Sequence, residues 1–267
     1  MIIEYTRLTE HIAAEVVGLD LASGADSIDG EALRSLLAEH AVLVIRDQHL
    51  SPPQLLDAVG LMGVPERQNY SQFNHPEYPD IGILDYEGEQ TPADMWHTDH
   101  TNRECPPNAT ILYALKVLSR GGDTSFANMN AAFLALPGEV KRELEGMKTV
   151  NTFDGQFEVR AVDQRDFGRQ VEHPLVRTHP ETGRKALYFH VLKDSYVVGK
   201  TAAESRLFLY EFLEASIQPE FMYRHQWRQG DLVVVDNRTA MHKVHDDYDR
   251  TEKRLLHRVI LKGDRPV

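Results

Sequence analysis

The chain is short of cysteine, of tryptophan, of positive charge and of long apolar runs, and most of these shortages remove a class of protein. One cysteine among 267 residues leaves no internal disulfide, no cysteine-rich zinc site and no thiolate-held iron–sulfur cluster. That residue, Cys105, sits between Glu104 and two prolines with no base beside it, which reads as structural rather than reactive. No apolar run approaches the roughly eighteen residues needed to cross a bilayer, and Met1 to Thr6 lacks a basic segment leading into an apolar one. The expectation is a soluble, cytoplasmic protein. Lysine and arginine total 29 against 41 acidic residues, a formal charge of −12, and no basic cluster interrupts that balance, so nucleic acid is not an expected partner. A G-x-G-x-x-G turn and a phosphate loop are both missing, which disfavours a doubly wound nucleotide fold. Repeats of fixed period and low-complexity segments are absent as well.

What is there is a globular composition, 42% hydrophobic and 26% charged. A chain this long buries roughly three quarters of its unfolded surface, so any metal it holds serves chemistry rather than folding. Asp29 before Glu31 to Leu37 predicts a capped helix running into a buried strand at Ala41 to Ile45, and Ser51-Pro52 predicts a second helix start. Beyond Asn108 the pattern turns extended. Thr110 to Leu118 reads as a strand. Val171 to Thr178 and Lys185 to His190 read as a hairpin about Glu181-Thr182-Gly183-Arg184, and Phe221 to Trp227 with Asp231 to Asp236 as a second about Gln229-Gly230. Ala202 to Ile217 is an amphipathic helix, and Leu255 to Leu261 a final strand. The expected architecture is one domain over 1–267, mainly β with flanking helices (α+β), as a β-sandwich or jelly roll.

Thirteen histidines draw attention to their neighbours. His97-Thr98-Asp99 is a His-x-Asp pair in an extended stretch, where residues i and i+2 share a face and can offer one metal an imidazole and a carboxylate. Two histidines and one carboxylate, with other positions open, suit non-haem Fe(II). About one such pair arises by chance in a chain of this composition, and His245-Asp246-Asp247 is a second, so spacing alone does not choose. The downstream context does more. His242 follows Asp236-Asn237-Arg238 and the apolar strand Leu232 to Val235, where a sandwich can return it to Asp99. Arg254 and Arg258 then share one face of the final strand, roughly 13 Å apart at about 3.4 Å per residue, a spacing that serves two different anions, or one anion and one structural acid.

Taken together, Trp96-His97-Thr98-Asp99, Gly121-Gly122-Asp123-Thr124, Asp236-Asn237-Arg238 with His242, and Arg254-Leu255-Leu256-His257-Arg258 resemble the TauD/TfdA family of Fe(II)- and 2-oxoglutarate-dependent dioxygenases. Glu15 to Leu21 and Val44 to Gln48 extend the likeness over nearly the whole chain. The resemblance implies a double-stranded β-helix (jelly roll) in which His97, Asp99 and His242 hold the iron and are catalytic. It implies that Thr124 and Arg254 bind the far carboxylate of 2-oxoglutarate, and that Arg258 faces the substrate's anionic group or supports the cosubstrate. Asn237 and Arg238 would orient or brace, Trp96 would pack, and His245 would be a decoy. The implied reaction takes O2, 2-oxoglutarate and a small carboxylate or sulfonate substrate, whose C–H bond it oxidises by hydroxylation, with desaturation left open, and gives succinate and CO2. Gln68, Asn69, Tyr70, His100 and Asn102, around the His-x-Asp pair, are the candidate substrate contacts. A homo-oligomer is the symmetry expectation. Two rivals stay open: a zinc hydrolase using the same triad and a bound water, and a metal-binding module without turnover.

Overall fold

The computed structural model describes residues 3–24, 27–68, 70–85, 93–152, 170–191 and 195–267. In chain order the first half gives β1 (Tyr5–Arg7), β2 (Ala14–Val16), α1 (Gly30–His40), β3 (Val42–Ile45), α2 (Pro52–Gly60), β4 (Pro65–Glu66), β5 (Gly82–Asp85), β6 (Ala109–Lys116) and β7 (Thr124–Asn128). Next come α3 (Met129–Ala135), α4 (Gly138–Glu145), β8 (Lys148–Asn151), β9 (Val171–Pro174), β10 (Val176–Thr178), β11 (Lys185–Leu187) and β12 (Tyr196–Val197). The remainder is α5 (Ala202–Ser216), β13 (Met222–His225), β14 (Leu232–Asp236), β15 (Ala240–Val244) and β16 (Leu255–Leu261). The fold is mixed α+β with several sheets. The largest has the order β1-β2-β3-β14-β6-β16-β4, with β5 also on β16, and a three-stranded sheet runs β13-β7-β15. Among the described residues no helix is long and apolar enough to cross a membrane.

Local chemistry sets the expected helices. Asp29 caps α1 by accepting the Ala32 N–H at 3.0 Å, and Ser51 and Gln54 form a capping box ahead of Pro52 in α2. Strands β3 and β14 are apolar at every position but Asp236, because both faces of the large sheet are covered. Leu43, Ile45, Leu232 and Val234 pack toward α1 and α2. Val42, Val44, Val233 and Val235 pack on Phe126 and Ala240 of the smaller sheet.

Three expectations need correction. Val171 to Thr178 is two strands broken at Leu175: β9 pairs with β8, and only β10 forms the hairpin with β11. The second expected hairpin does not exist. β13 pairs with β7 in the small sheet, whereas β14 pairs with β3 and β6 in the large one. The turn is real, with Gly230 at φ +84, but Gly230 accepts from Gln48 N at 2.8 Å and donates to Ala114 O at 2.9 Å. Those bonds carry the chain from one sheet into the other. Cys105, expected as structural, is exposed, so core packing is not its role.

The Asp236-Asn237-Arg238 motif is the turn that crosses back from β14 to β15. Arg238 grips Asp236 with Nε and Nη2, both at 2.8 Å, and His179 Nε2 adds a third contact at 3.0 Å. Burial alone would raise the Asp236 carboxyl, but the His179 hydrogen bond and the Arg238 guanidinium outweigh it and hold the group at about 2, against an ordinary 3.8. A depressed carboxyl contributes stability that is complete above its unfolded value and is lost as pH falls through the folded one. Asp236→Asn should therefore cost about 3 kcal/mol near neutral pH, as expected when one member of a buried ion pair is removed. The gap between wild-type and variant thermal melting curves should close as pH falls from about 4 toward 2.

Candidate active site

The site is built by the main chain before any side chain is considered. His97 N donates to His242 O at 3.0 Å and His242 N to His97 O at 2.9 Å, an isolated antiparallel bridge between the loop ahead of β6 and strand β15. The bridge sets the two imidazoles side by side, with centroids 4.2 Å apart. His97 Nδ1 is held by Met95 O at 2.8 Å, which leaves Nε2 facing inward, 3.8 Å from Asp99 Oδ1. His97, Asp99 and His242 each offer one ligand atom within 4.8 Å of the others.

The electrostatics favour a cation. Burial lowers His242 to about 3, and the neighbouring His97 adds to the effect, so His242 presents a neutral imidazole with a lone pair. Burial would raise Asp99, but Arg258, then His242, His100 and His97, outweigh it and keep the carboxyl ionised, well below its usual range. One carboxylate oxygen is committed: Thr110 Oγ1 donates to Asp99 Oδ2 at 2.6 Å, and Asn237 Nδ2 donates to Thr110 Oγ1 at 2.9 Å. The other, Oδ1, faces the imidazoles and lies 3.8 Å from Arg258 Nη1. Two imidazole nitrogens and one fixed anionic oxygen make the donor set of a 2-His-1-carboxylate iron site, and His242 Nδ1, buried and without a hydrogen bond among the described residues, agrees with a site made for a ligand.

The triad opens on a cavity of about 470 Å³ between the two sheets. Gln68, Tyr70, His100, Asn102, Thr124, Arg254 and Arg258 all line it; Asn69 lies outside the described residues. Gln68 is partly spent on packing, since its Nε2 donates to Arg258 O at 3.2 Å. Arg258 Nε is buried and makes no hydrogen bond to the described residues. Phe73, Leu84, Leu112 and Leu256 supply apolar wall. His245 is elsewhere, with its Nε2 2.8 Å from Ser125 Oγ. The loop beyond it is largely exposed to solvent, and its Asp246 and Arg250 form an ion pair at the cavity rim.

Some functional positions have little sequence signal. Thr110 reads as an ordinary strand threonine. His190, buried on the cavity wall and pushed by burial to about 3, stands in an apolar run that resembles any core strand. His173, whose Nε2 lies 2.9 Å from both Thr101 O and Arg103 O, braces the loop after Asp99 from a distant part of the chain.

The family described as "Taurine catabolism dioxygenase TauD, TfdA family" matches residues 4–260. The chain belongs to the TauD/TfdA family. Among its relatives, the alpha-ketoglutarate-dependent 2,4-dichlorophenoxyacetate dioxygenase of Cupriavidus pinatubonensis is 34% identical over 96% of each chain. An alpha-ketoglutarate-dependent sulfate ester dioxygenase of Pseudomonas putida is 32% identical over 96% of this chain and 88% of its own. The crystal structure of AAD-2 in complex with Mn(II) and N-oxalylglycine aligns with a TM-score of 0.83 at 30% identity, covering 100% of this chain and 99% of that one. Within a TauD/TfdA enzyme the Thr110 contact has a direct use, since partners of this kind orient a metal ligand. Thr110→Val should weaken Fe(II) binding by about 10-fold, read by anaerobic metal titration, and lower the melting temperature by a few degrees, because the buried Asp99 Oδ2 and Asn237 Nδ2 lose that partner.

Proposed function

We propose that the chain oxidises a C–H bond of a small anionic substrate, by hydroxylation, while 2-oxoglutarate and O2 become succinate and CO2. His97, Asp99 and His242 are the residues that would hold Fe(II), and 1–267 acts as one catalytic domain. The carrying observation is the backbone bridge that joins His97 to His242 beside Asp99 on a cavity with two arginines. Iron bound there with 2-oxoglutarate supplies the capacity to activate O2. The apolar layer about Phe126 between the large and the small sheet supports a double-stranded β-helix.

The protein's own part is placement. Thr124 and Arg254 receive the far carboxylate of 2-oxoglutarate, for which a planar guanidinium fork is well shaped. Arg258 offers its buried Nε to the substrate's anionic group, next to the carboxylate ligand. Phe73, Leu84, Leu112 and Leu256 exclude water and accept an apolar body. The activities for which the relatives are named, on a phenoxyacetate and on sulfate esters, support a substrate with that combination of anion and apolar body, a carboxylate or a sulfur oxyanion.

The test is the anaerobic visible spectrum of the apo-protein after Fe(II) and then 2-oxoglutarate. A weak charge-transfer band that needs both additions and is lost in His97→Ala is the expected result. No band despite bound iron would remove the cosubstrate and turn attention to zinc hydrolysis; a band without succinate formation would leave a binding module. Arg258→Gln should raise the substrate KM by about 10- to 100-fold, the worth of a hydrogen bond to a charged group, in initial-rate assays at saturating iron and 2-oxoglutarate.

A further inference from the structure

Trp227 stands behind the cosubstrate end of the cavity. It lies in the segment between β13 and β14 and lines a second, surface cavity, whereas Arg254 lines both. Its Nε1–H donates to Thr124 Oγ1 at 3.0 Å, and the guanidinium carbon of Arg254 lies 5.6 Å from its ring centroid. Thr124 opens β7 in the small sheet, and Arg254 precedes β16 in the large one. Trp227 thus touches two side chains that different sheets deliver.

Hydrogen-bond inventory gives that contact a direction. A threonine hydroxyl has one hydrogen and two lone pairs, whereas an indole N–H only donates. With Trp227 filling one lone pair, the Thr124 hydrogen is left to be given to another acceptor, and Thr124 lines the cavity. An anion there meets a hydroxyl already set to donate. The aromatic face likewise restricts the plane of the Arg254 guanidinium. Trp227 is itself held. His225 meets it edge-on at 4.6 Å, and His225 is fixed by Asp231 Oδ2 at 3.0 Å and the Tyr223 hydroxyl at 2.9 Å. Asp231 in turn accepts from Arg46 Nη1 at 2.6 Å.

We propose that Trp227 is a positioning residue that selects for the far carboxylate of 2-oxoglutarate, by directing the Thr124 hydroxyl and fixing the plane of Arg254. This rests on the reading that Thr124 and Arg254 receive that carboxylate. The experiment uses the full chain loaded with Mn(II) and measures binding of 2-oxoglutarate and of 2-oxopentanoate, which lacks the far carboxylate, by titration calorimetry. Trp227→Phe keeps a ring under Arg254 and removes the N–H. Its affinity for 2-oxoglutarate should fall about 5- to 10-fold, the worth of one hydrogen bond, while that for 2-oxopentanoate stays unchanged. Trp227→Leu should lose more, about 50-fold, by giving up the cation–π contact too. In turnover, the 2-oxoglutarate KM of Trp227→Phe should rise with kcat kept. Equal losses for both acids, or no loss in the phenylalanine variant, would overturn the positioning role. Thr124→Val and Arg254→Gln separate the two claims. If they leave the preference for 2-oxoglutarate intact, the underlying reading fails; if they remove it and Trp227→Phe does not, only the role of Trp227 fails.

Discussion

The pair of backbone hydrogen bonds between His97 and His242 is the constraint from which the site follows. Two imidazoles on flexible side chains could meet in many ways, but a main-chain bridge allows few. It ties the loop before β6, a strand of the large sheet, to β15, a strand of the small one. The two sheets therefore cannot slide without separating the imidazoles. Asp99 is fixed from the large sheet by Thr110, and Asn237 in the crossing turn steadies Thr110. The two histidines are placed by the same pair of backbone bonds, and the carboxylate by a chain of buried side-chain bonds.

The space between the sheets is divided by chemistry. At the β3 and β14 end it is filled by Val42, Val44, Val233 and Val235 against Phe126. At the β6 and β16 end the inward residues include Thr110, Leu112, Leu256 and Arg258, and the space is open. Buried charge is tolerable there because it is arranged in opposition: Arg258 lies beside Asp99, and in the neighbouring turn Arg238 holds Asp236. A low-dielectric interior makes such pairs firm and their disruption costly.

The legible parts of the sequence were those whose cause is local. Asp29 and Ser51 cap their helices through their own next few residues, and the apolar run of β14 reports burial on both faces. The four motifs were legible as a set, and they come to one cavity. Partnership was not legible. Gln229-Gly230 announces a turn, but whether the chain then pairs with β13 or passes into the other sheet is decided by Gln48 and Ala114. Thr110 and Trp227 were silent for the same reason, since a threonine in a strand and a tryptophan after one are ordinary until their partners are seen.

The order of strands in space differs from their order along the chain, with a consequence for biosynthesis. β14 lies between β3 and β6, and β16 flanks β6 on its other side, so late segments fill interior positions of the sheet. Until they emerge from the ribosome, β6 has neither neighbour and the segments destined for the site cannot assemble around a metal. Such a topology, rich in distant pairings, folds slowly and leaves strand edges unprotected meanwhile. It also means that a half-made chain carries His97 and Asp99 without His242, and so has no complete centre at which oxygen chemistry could begin.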